Sequence, residues 1–164
     1  MKHEPLFDAI KNAFPPTPIV AAGAFEERGI TYCDGPEYMR QMDGKTWEDL
    51  DPQFFARRSD GLSFLGTAHL VAVLPQYLLL LLVFEPTSPV PETLLPLLTK
   101  PEPTGPRAHL FDWSKARFDS LTRTLSDLQK ATVAAALRRF TALYPNYGDE
   151  AQPALDRYWS AFES

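Results

Sequence analysis

The chain has 164 residues, a net charge of −5 and a single cysteine, Cys33. This length suits one domain with a buried core, and the 45% hydrophobic fraction excludes a wholly disordered chain. One cysteine excludes an intramolecular disulfide, and the acidic balance argues against nucleic-acid binding, which requires a positive face. Because the N-terminus also lacks the apolar stretch of a signal peptide, these features predict a cytoplasmic protein.

The first third of the chain predicts short elements separated by proline and glycine. Residues 4–14 carry apolar side chains at helical spacing, and a proline pair ends that helix. Residues 17–35 contain short apolar runs bounded by glycines, which predict minor β content as extended pieces or a small hairpin. A further helix opens at Pro36, and Gly44 closes it.

Two local signals follow this helix. The segment from Thr46 to Asp49 is typical of a capped helix start, in which polar side chains satisfy the first backbone N–H groups. Pro52 then precedes a short helical turn whose adjacent phenylalanines, Phe54 and Phe55, supply an aromatic anchor for the core.

The run from Leu70 to Phe84 is the most apolar part of the chain. It is shorter than the roughly 20 residues that a membrane-spanning helix needs, and Pro75 and Gln76 interrupt it. Thr67 is the predicted N-cap, and Pro75 is expected to kink or restart the helix. A helix that is apolar all round is expected to be buried all round, so this segment is predicted to form the centre of the core.

The proline-rich segment 85–106 is predicted to be an ordered loop with about one helical turn, because its leucines favour burial over a free tether. Ser126 and Gln129 match the capping-box pattern and predict a helix over 127–144. Residues 149–163 predict a final helix. The fold class is therefore mainly α: a compact, single helical domain over residues 1–164 with minor β content in residues 17–35.

The sequence contains no recognisable catalytic, cofactor or metal motif. His3, His69 and His109 lack the spacing of metal ligands, and neither a GxSxG elbow nor a phosphate-binding glycine pattern is present. His69 is interpreted as a core or boundary histidine, and Cys33 as a small, part-buried hydrophobe. An enzyme whose site assembles in space around His69, His109 or Cys33 is the least favoured alternative.

One acidic cluster is dense enough to suggest a binding site. The candidate partner-binding residues are Asp43, Trp47, Glu48, Asp49 and Asp51. In one interpretation the carboxylates pair with basic side chains of a partner around an aromatic anchor. In the alternative, the acids only complement the positive start of a helix and Trp47 turns into the core. A pair of carboxylates acting as acid and base is a third possibility, which would require neighbours that shift one pKa.

Three motifs stand in a characteristic order: GKTWEDL at Gly44–Leu50, LSFL at Leu62–Leu65 and LPQYLL at Leu74–Leu79. This order resembles a family of small bacterial proteins known only as a domain of unknown function, with the pattern G-K-x-W-x-D-L, L-S-F-L and L-P-x-Y-L-L. The resemblance covers most of residues 40–84, and more loosely the last fifty. It implies a shared fold and carries no activity.

By size, charge and lack of catalytic motifs, the chain also resembles immunity proteins, which block a cognate toxin. The function expected from this likeness is that of a non-enzymatic, cytoplasmic antitoxin, whose partner is a basic toxin or effector domain rather than a nucleic acid or a membrane. The alternative is a structural or adaptor subunit that uses the proline-rich segment 85–106 as its contact.

Overall fold

Helices form most of the backbone in the computed structural model, which describes residues 5–26, 31–83 and 87–163. The α-helices within these ranges are α1 (Pro5–Ala13), α2 (Gly35–Met42), α3 (Pro52–Arg57), α4 (Thr67–Leu82), α5 (Val90–Leu98), α6 (Phe111–Thr124), α7 (Asp127–Leu143) and α8 (Gly148–Arg157). Short 3₁₀ helices occupy Trp47–Asp49, Ser59–Ser63, Ala108–Leu110, Pro145–Tyr147 and Trp159–Phe162. The predicted mainly α class is confirmed.

Helix α7 begins where its local sequence predicts. The Gln129 N–H donates to Ser126 Oγ at 3.2 Å, and the Ser126 N–H donates to Gln129 Oε1 at 2.9 Å. This reciprocal capping box satisfies two backbone donors that the first turn leaves unpaired. Pro145 follows the helix and starts a separate 3₁₀ turn. The predicted helix over 127–144 is therefore confirmed.

Helix α4 lies at the centre of the core. It packs against α1, α3, α5, α6 and α7, and every residue from Leu70 to Leu82 is buried or half-buried. All eight α-helices contribute side chains to the same apolar cluster. Full burial of one leucine contributes about 1.5–3 kcal/mol, so this helix is a major source of stability. None of the described helices is both long and apolar enough to cross a membrane.

The structure differs from the prediction at Pro75, which lies inside one continuous helix rather than at a restart. Proline removes a backbone hydrogen bond from the helical ladder, a local cost that extensive packing on both sides of Pro75 offsets. The start of α4 also differs by one residue, since Gly66 is the N-cap and Thr67 the first helical residue.

The predicted β content in residues 17–35 is not borne out, because neither 17–26 nor 31–35 contains a strand. Residues 27–30, which include part of the predicted hairpin, lie outside the described residues. The extended backbone pairs with the loop after α2 instead: the Ile19 N–H donates to Lys45 O at 2.9 Å and the Gly44 N–H donates to Ile19 O at 2.8 Å. The backbone of this loop thus pairs with a single residue of the extended segment, Ile19, which is too few backbone hydrogen bonds to form a ladder.

The proline-rich segment contains more helix than the single turn predicted, since α5 spans nine residues. Pro91 lies in its first turn, where a missing N–H costs nothing, and Leu94, Leu95 and Leu98 are buried. The ordered loop predicted for 85–106 is thus limited, among described residues, to 87–89 and 99–106. We call residues 99–107 the proline strap.

The last third also differs from the prediction in two places. Helix α6 was not predicted, and its residue Phe118 is buried in the core. The predicted final helix over 149–163 is divided into α8 and the 3₁₀ helix Trp159–Phe162. The break allows Trp159 to be fully buried while its Nε1 donates a hydrogen bond to the Leu98 carbonyl.

Candidate binding surface

The predicted acidic residues lie on the loops and the 3₁₀ helix between α2 and α3. Asp43 Oδ1 accepts the Ala21 N–H at 2.9 Å and so fixes the extended segment against the end of α2. Asp51 is the N-cap of α3, where its Oδ1 accepts the Gln53 N–H at 3.0 Å. Both carboxylates therefore have a structural role at a chain turn.

The other two acids also have partners within the chain. Glu48 Oε1 lies 2.8 Å from Lys11 Nζ, and Asp49 Oδ2 accepts the Thr46 hydroxyl at 2.7 Å. All four acidic residues are nonetheless exposed. We call the exposed carboxylates of Asp43, Glu48, Asp49 and Asp51 the acidic segment, whose use by a partner stays a prediction.

Trp47 is placed in the core rather than on this surface. Its side chain is 3% exposed, and its Nε1 donates to the Phe14 carbonyl at 2.7 Å. A buried indole of this kind provides apolar packing and satisfies one backbone acceptor. In this structure Trp47 therefore holds the acidic segment in place and does not offer its ring to a partner.

The residues of the enzyme alternative have ordinary surroundings. His69 is half-buried, and its Nε2 donates to the Val20 carbonyl at 2.8 Å, as expected for a boundary histidine. His109 is exposed in a 3₁₀ helix. The prediction that Cys33 is part-buried is wrong, since it is exposed in the turn before α2. No group of three or more His, Cys, Asp or Glu side chains within the described ranges could hold a metal ion.

Two basic side chains of α7, Arg138 and Lys130, pair with acidic side chains nearby in the fold. Arg138 binds Glu163 through two hydrogen bonds of 2.8 and 2.6 Å, which raise the pKa of the guanidinium. Lys130 lies 5.3 Å from the ring centroid of Phe162 and 3.8 Å from Asp127 Oδ1. The partners Glu163, Phe162 and Asp127 all lie in the C-terminal third of the chain.

An aromatic cluster joins α2 to α4. The Tyr77 hydroxyl donates to Phe55 O at 3.0 Å and lies 2.9 Å from the Tyr38 hydroxyl. Since Tyr77 has one proton to donate, Tyr38 is the donor in the second bond. Burial raises the pKa of both phenols. Both therefore stay neutral in the physiological range, and the cluster has a structural role.

Two adjacent cavities lie on another part of the surface, beside the proline strap. Their volumes are about 260 and 610 Å³, and Glu92, Pro96, Arg107 and Ser114 line both. They are therefore two halves of one depression between α5, α6, α8 and the strap, which we call the α5–α8 groove. Arg157 of α8 fixes the strap, because its guanidinium lies 3.1 Å from Glu102 Oε2 and donates to Lys100 O at 3.4 Å.

The sequence did not predict this groove, although it drew attention to the proline-rich segment that forms one wall. Its lining comes from residues between Asp60 and Arg157, which no local pattern connects. Comparison of the chain with protein families, curated proteins and solved structures gives no match. The resemblance inferred from the three motifs therefore stays a prediction.

Proposed function

We propose that this chain is a non-enzymatic binding protein that neutralises a cognate bacterial toxin domain, in the manner of immunity proteins. The observation that carries the proposal is the acidic segment, in which four exposed carboxylates lie on one short stretch of chain between α2 and α3. Negative charge at an interface steers a basic partner and accelerates encounter. A toxin domain with a basic active-site surface is the partner that this charge fits.

The internal hydrogen bonds of the acidic segment support the proposal. Asp43 is held by Ala21, Asp49 by Thr46 and Glu48 by Lys11, so the carboxylates are ordered before a partner arrives. Binding to an ordered surface costs less conformational entropy than binding to mobile side chains. This surface would act in the cytoplasm. The single exposed thiol, that of Cys33, is compatible with the reducing conditions there.

The test compares the wild-type chain with a fourfold variant, Asp43→Asn, Glu48→Gln, Asp49→Asn and Asp51→Asn. Amide replacements remove charge but keep an acceptor oxygen at Ala21 and at the N-cap of α3, which alanine would not. Tagged protein is used to capture partners from the host at low and high salt. The wild type should retain one dominant basic protein that salt releases, and the variant should lose it.

The captured protein is then expressed with and without this chain in a sensitive cell. Toxicity that the wild-type chain relieves, and the fourfold variant does not, would support the immunity function. A captured protein that is harmless alone would exclude that function, and capture that is undiminished in the variant would exclude the acidic segment as the interface.

The α5–α8 groove favours a second candidate, an adaptor or accessory subunit. Its larger part, about 610 Å³, falls within the roughly 300–1,000 Å³ range of binding cavities. The proline strap forms one wall, which matches the predicted use of the proline-rich segment as a contact. Replacement of residues 101–106 with a Gly/Ser linker should abolish partner capture by an adaptor and leave capture by the acidic segment intact.

A further inference from the structure

The walls of the α5–α8 groove have few backbone donors to offer. Pro96, Pro101, Pro106 and Pro153 all line it, and proline carries no N–H. A partner strand could not add to the strap through a regular backbone ladder, because such a ladder needs donors at alternate residues. An occupant would therefore be recognised mainly through its side chains, with apolar groups against the proline rings.

Apolar surface continues at the other end of the groove. Leu110 and Trp113 line the smaller cavity and are 42% and 44% exposed. Large apolar side chains with this exposure beside a concave surface are typical of contact sites. The groove thus offers apolar contacts along both of its halves.

The charge of the larger half of the groove selects the sign of the occupant. Glu92, Asp149 and Glu150 line the larger half, are exposed, and form no ion pair with another described residue. Glu102 is already paired with Arg157, which leaves Arg107 as the basic side chain facing these three carboxylates. The resulting negative potential favours a cationic occupant.

From these observations we infer that the α5–α8 groove docks an extended, cationic segment of a partner protein, in which basic side chains alternate with apolar ones. The basic groups face Glu92, Asp149 and Glu150, and the apolar groups pack on the prolines and towards Trp113. Alternation follows from an extended chain, whose successive side chains point to opposite sides. Such docking rests on the binding-protein function proposed above but uses a different surface from the acidic segment.

The probe is a short fluorescein-labelled peptide of alternating lysine and leucine, read by fluorescence anisotropy. Two further peptides replace lysine with glutamate or leucine with serine. The groove variant is Glu92→Gln, Asp149→Asn and Glu150→Gln. The matched control is Asp8→Asn, Glu26→Gln and Asp127→Asn, which removes the same charge from exposed positions outside both the groove and the acidic segment.

We expect the groove variant to weaken binding by about tenfold, since three partly solvated charge contacts are lost, and the matched control to change it by less than about twofold. The glutamate peptide should not bind, and the serine peptide should bind several-fold more weakly than the leucine peptide. Higher salt should weaken binding to the wild type more than binding to the groove variant. In a ¹⁵N spectrum, the leucine peptide should shift the amide signal of Gly105 in the strap.

Equal weakening by the groove variant and the matched control would overturn docking in the groove, because it would show a response to net charge alone. Serine and leucine peptides that bind equally would also overturn it, since the apolar walls would then make no contribution. Neither result affects the host-capture test of the acidic segment, so failure of the groove and failure of the immunity function are distinguishable.

Discussion

A methyl group added at Gly61 would lie 2.5 Å from Cε2 and 2.8 Å from Cδ2 of Tyr38. The Tyr38 ring has no room to withdraw, because it is fully buried and its hydroxyl is hydrogen-bonded to Tyr77. Gly61 therefore allows the 3₁₀ helix Ser59–Ser63 to approach α2 closely. The absence of a side chain at this position is a packing requirement.

Gly61→Ala should consequently lower the free energy of unfolding by about 1–3 kcal/mol, the usual cost of overpacking a core. Urea unfolding monitored by circular dichroism measures the change. Gly148→Ala is the matched control, since a Cβ there would meet no atom within 4 Å. Equal stability of Gly61→Ala and wild type would show that Tyr38 can move.

Stability should decrease at alkaline pH because burial raises the pKa of Tyr38 and Tyr77 above the ordinary value of about 10. Above that pH the unfolded chain releases phenolic protons that the folded chain keeps, so the unfolded state binds fewer protons. The free energy of unfolding should then fall by about 1.4 kcal/mol per pH unit for each buried tyrosine.

The variant Tyr38→Phe isolates this effect, because Tyr77 keeps its own acceptor at Phe55 O. At neutral pH the variant should lose about 1 kcal/mol, the net value of one hydrogen bond. Above pH 10 its stability should fall less steeply than that of the wild type, by about 1.4 kcal/mol per pH unit. Urea titrations at a series of pH values measure this dependence. Equal slopes of stability against pH for the variant and the wild type would contradict the raised pKa of Tyr38.

The contribution of the N-cap of α3 to the free energy of unfolding should be measurable on its own. Asp51→Ala removes the acceptor of the Gln53 N–H and should cost about 1 kcal/mol in the free energy of unfolding. Asp51→Asn retains a capping oxygen and should change stability by only a few tenths of that value. Thermal unfolding of the two variants separates capping from charge, and equal losses would indicate that charge alone matters.

Arg157 should control the local stability of the proline strap more than the stability of the whole protein. Its contacts with Glu102 and Lys100 O are exposed, so Arg157→Ala should change global stability by less than about 1 kcal/mol. Hydrogen exchange of the Ala108 amide, which donates to Gly105 O of the strap at 3.1 Å, should become faster, because local opening costs less than global unfolding. Unchanged exchange would show that packing, and not Arg157, holds the strap.

Several elements could be predicted from the sequence because their signals are local. The Ser126 and Gln129 capping box lies within one turn of α7, and the proline and glycine at the ends of α2 act on their own backbone. Apolar composition likewise identified α4 as the core helix. Hydrogen bonds and conformational preferences of this kind involve residues only a few positions apart.

Other features depended on partners that are distant in sequence. The extended segment after α1 binds the loop at Gly44 and Lys45, so its apolar run did not become a strand. The leucines around Pro96 found buried positions against other helices, which favoured helix over loop.

The two candidate surfaces, the acidic segment and the α5–α8 groove, also differ in how much of each the sequence could predict. Composition alone located the acidic segment, but only the tertiary structure showed that Trp47 turns inward to Phe14 O while the carboxylates stay exposed. The α5–α8 groove exists because α5, α6, α8 and the strap meet in space. Local backbone energetics determine where helices begin and end, whereas burial and concavity depend on which distant side chains compete for the same volume.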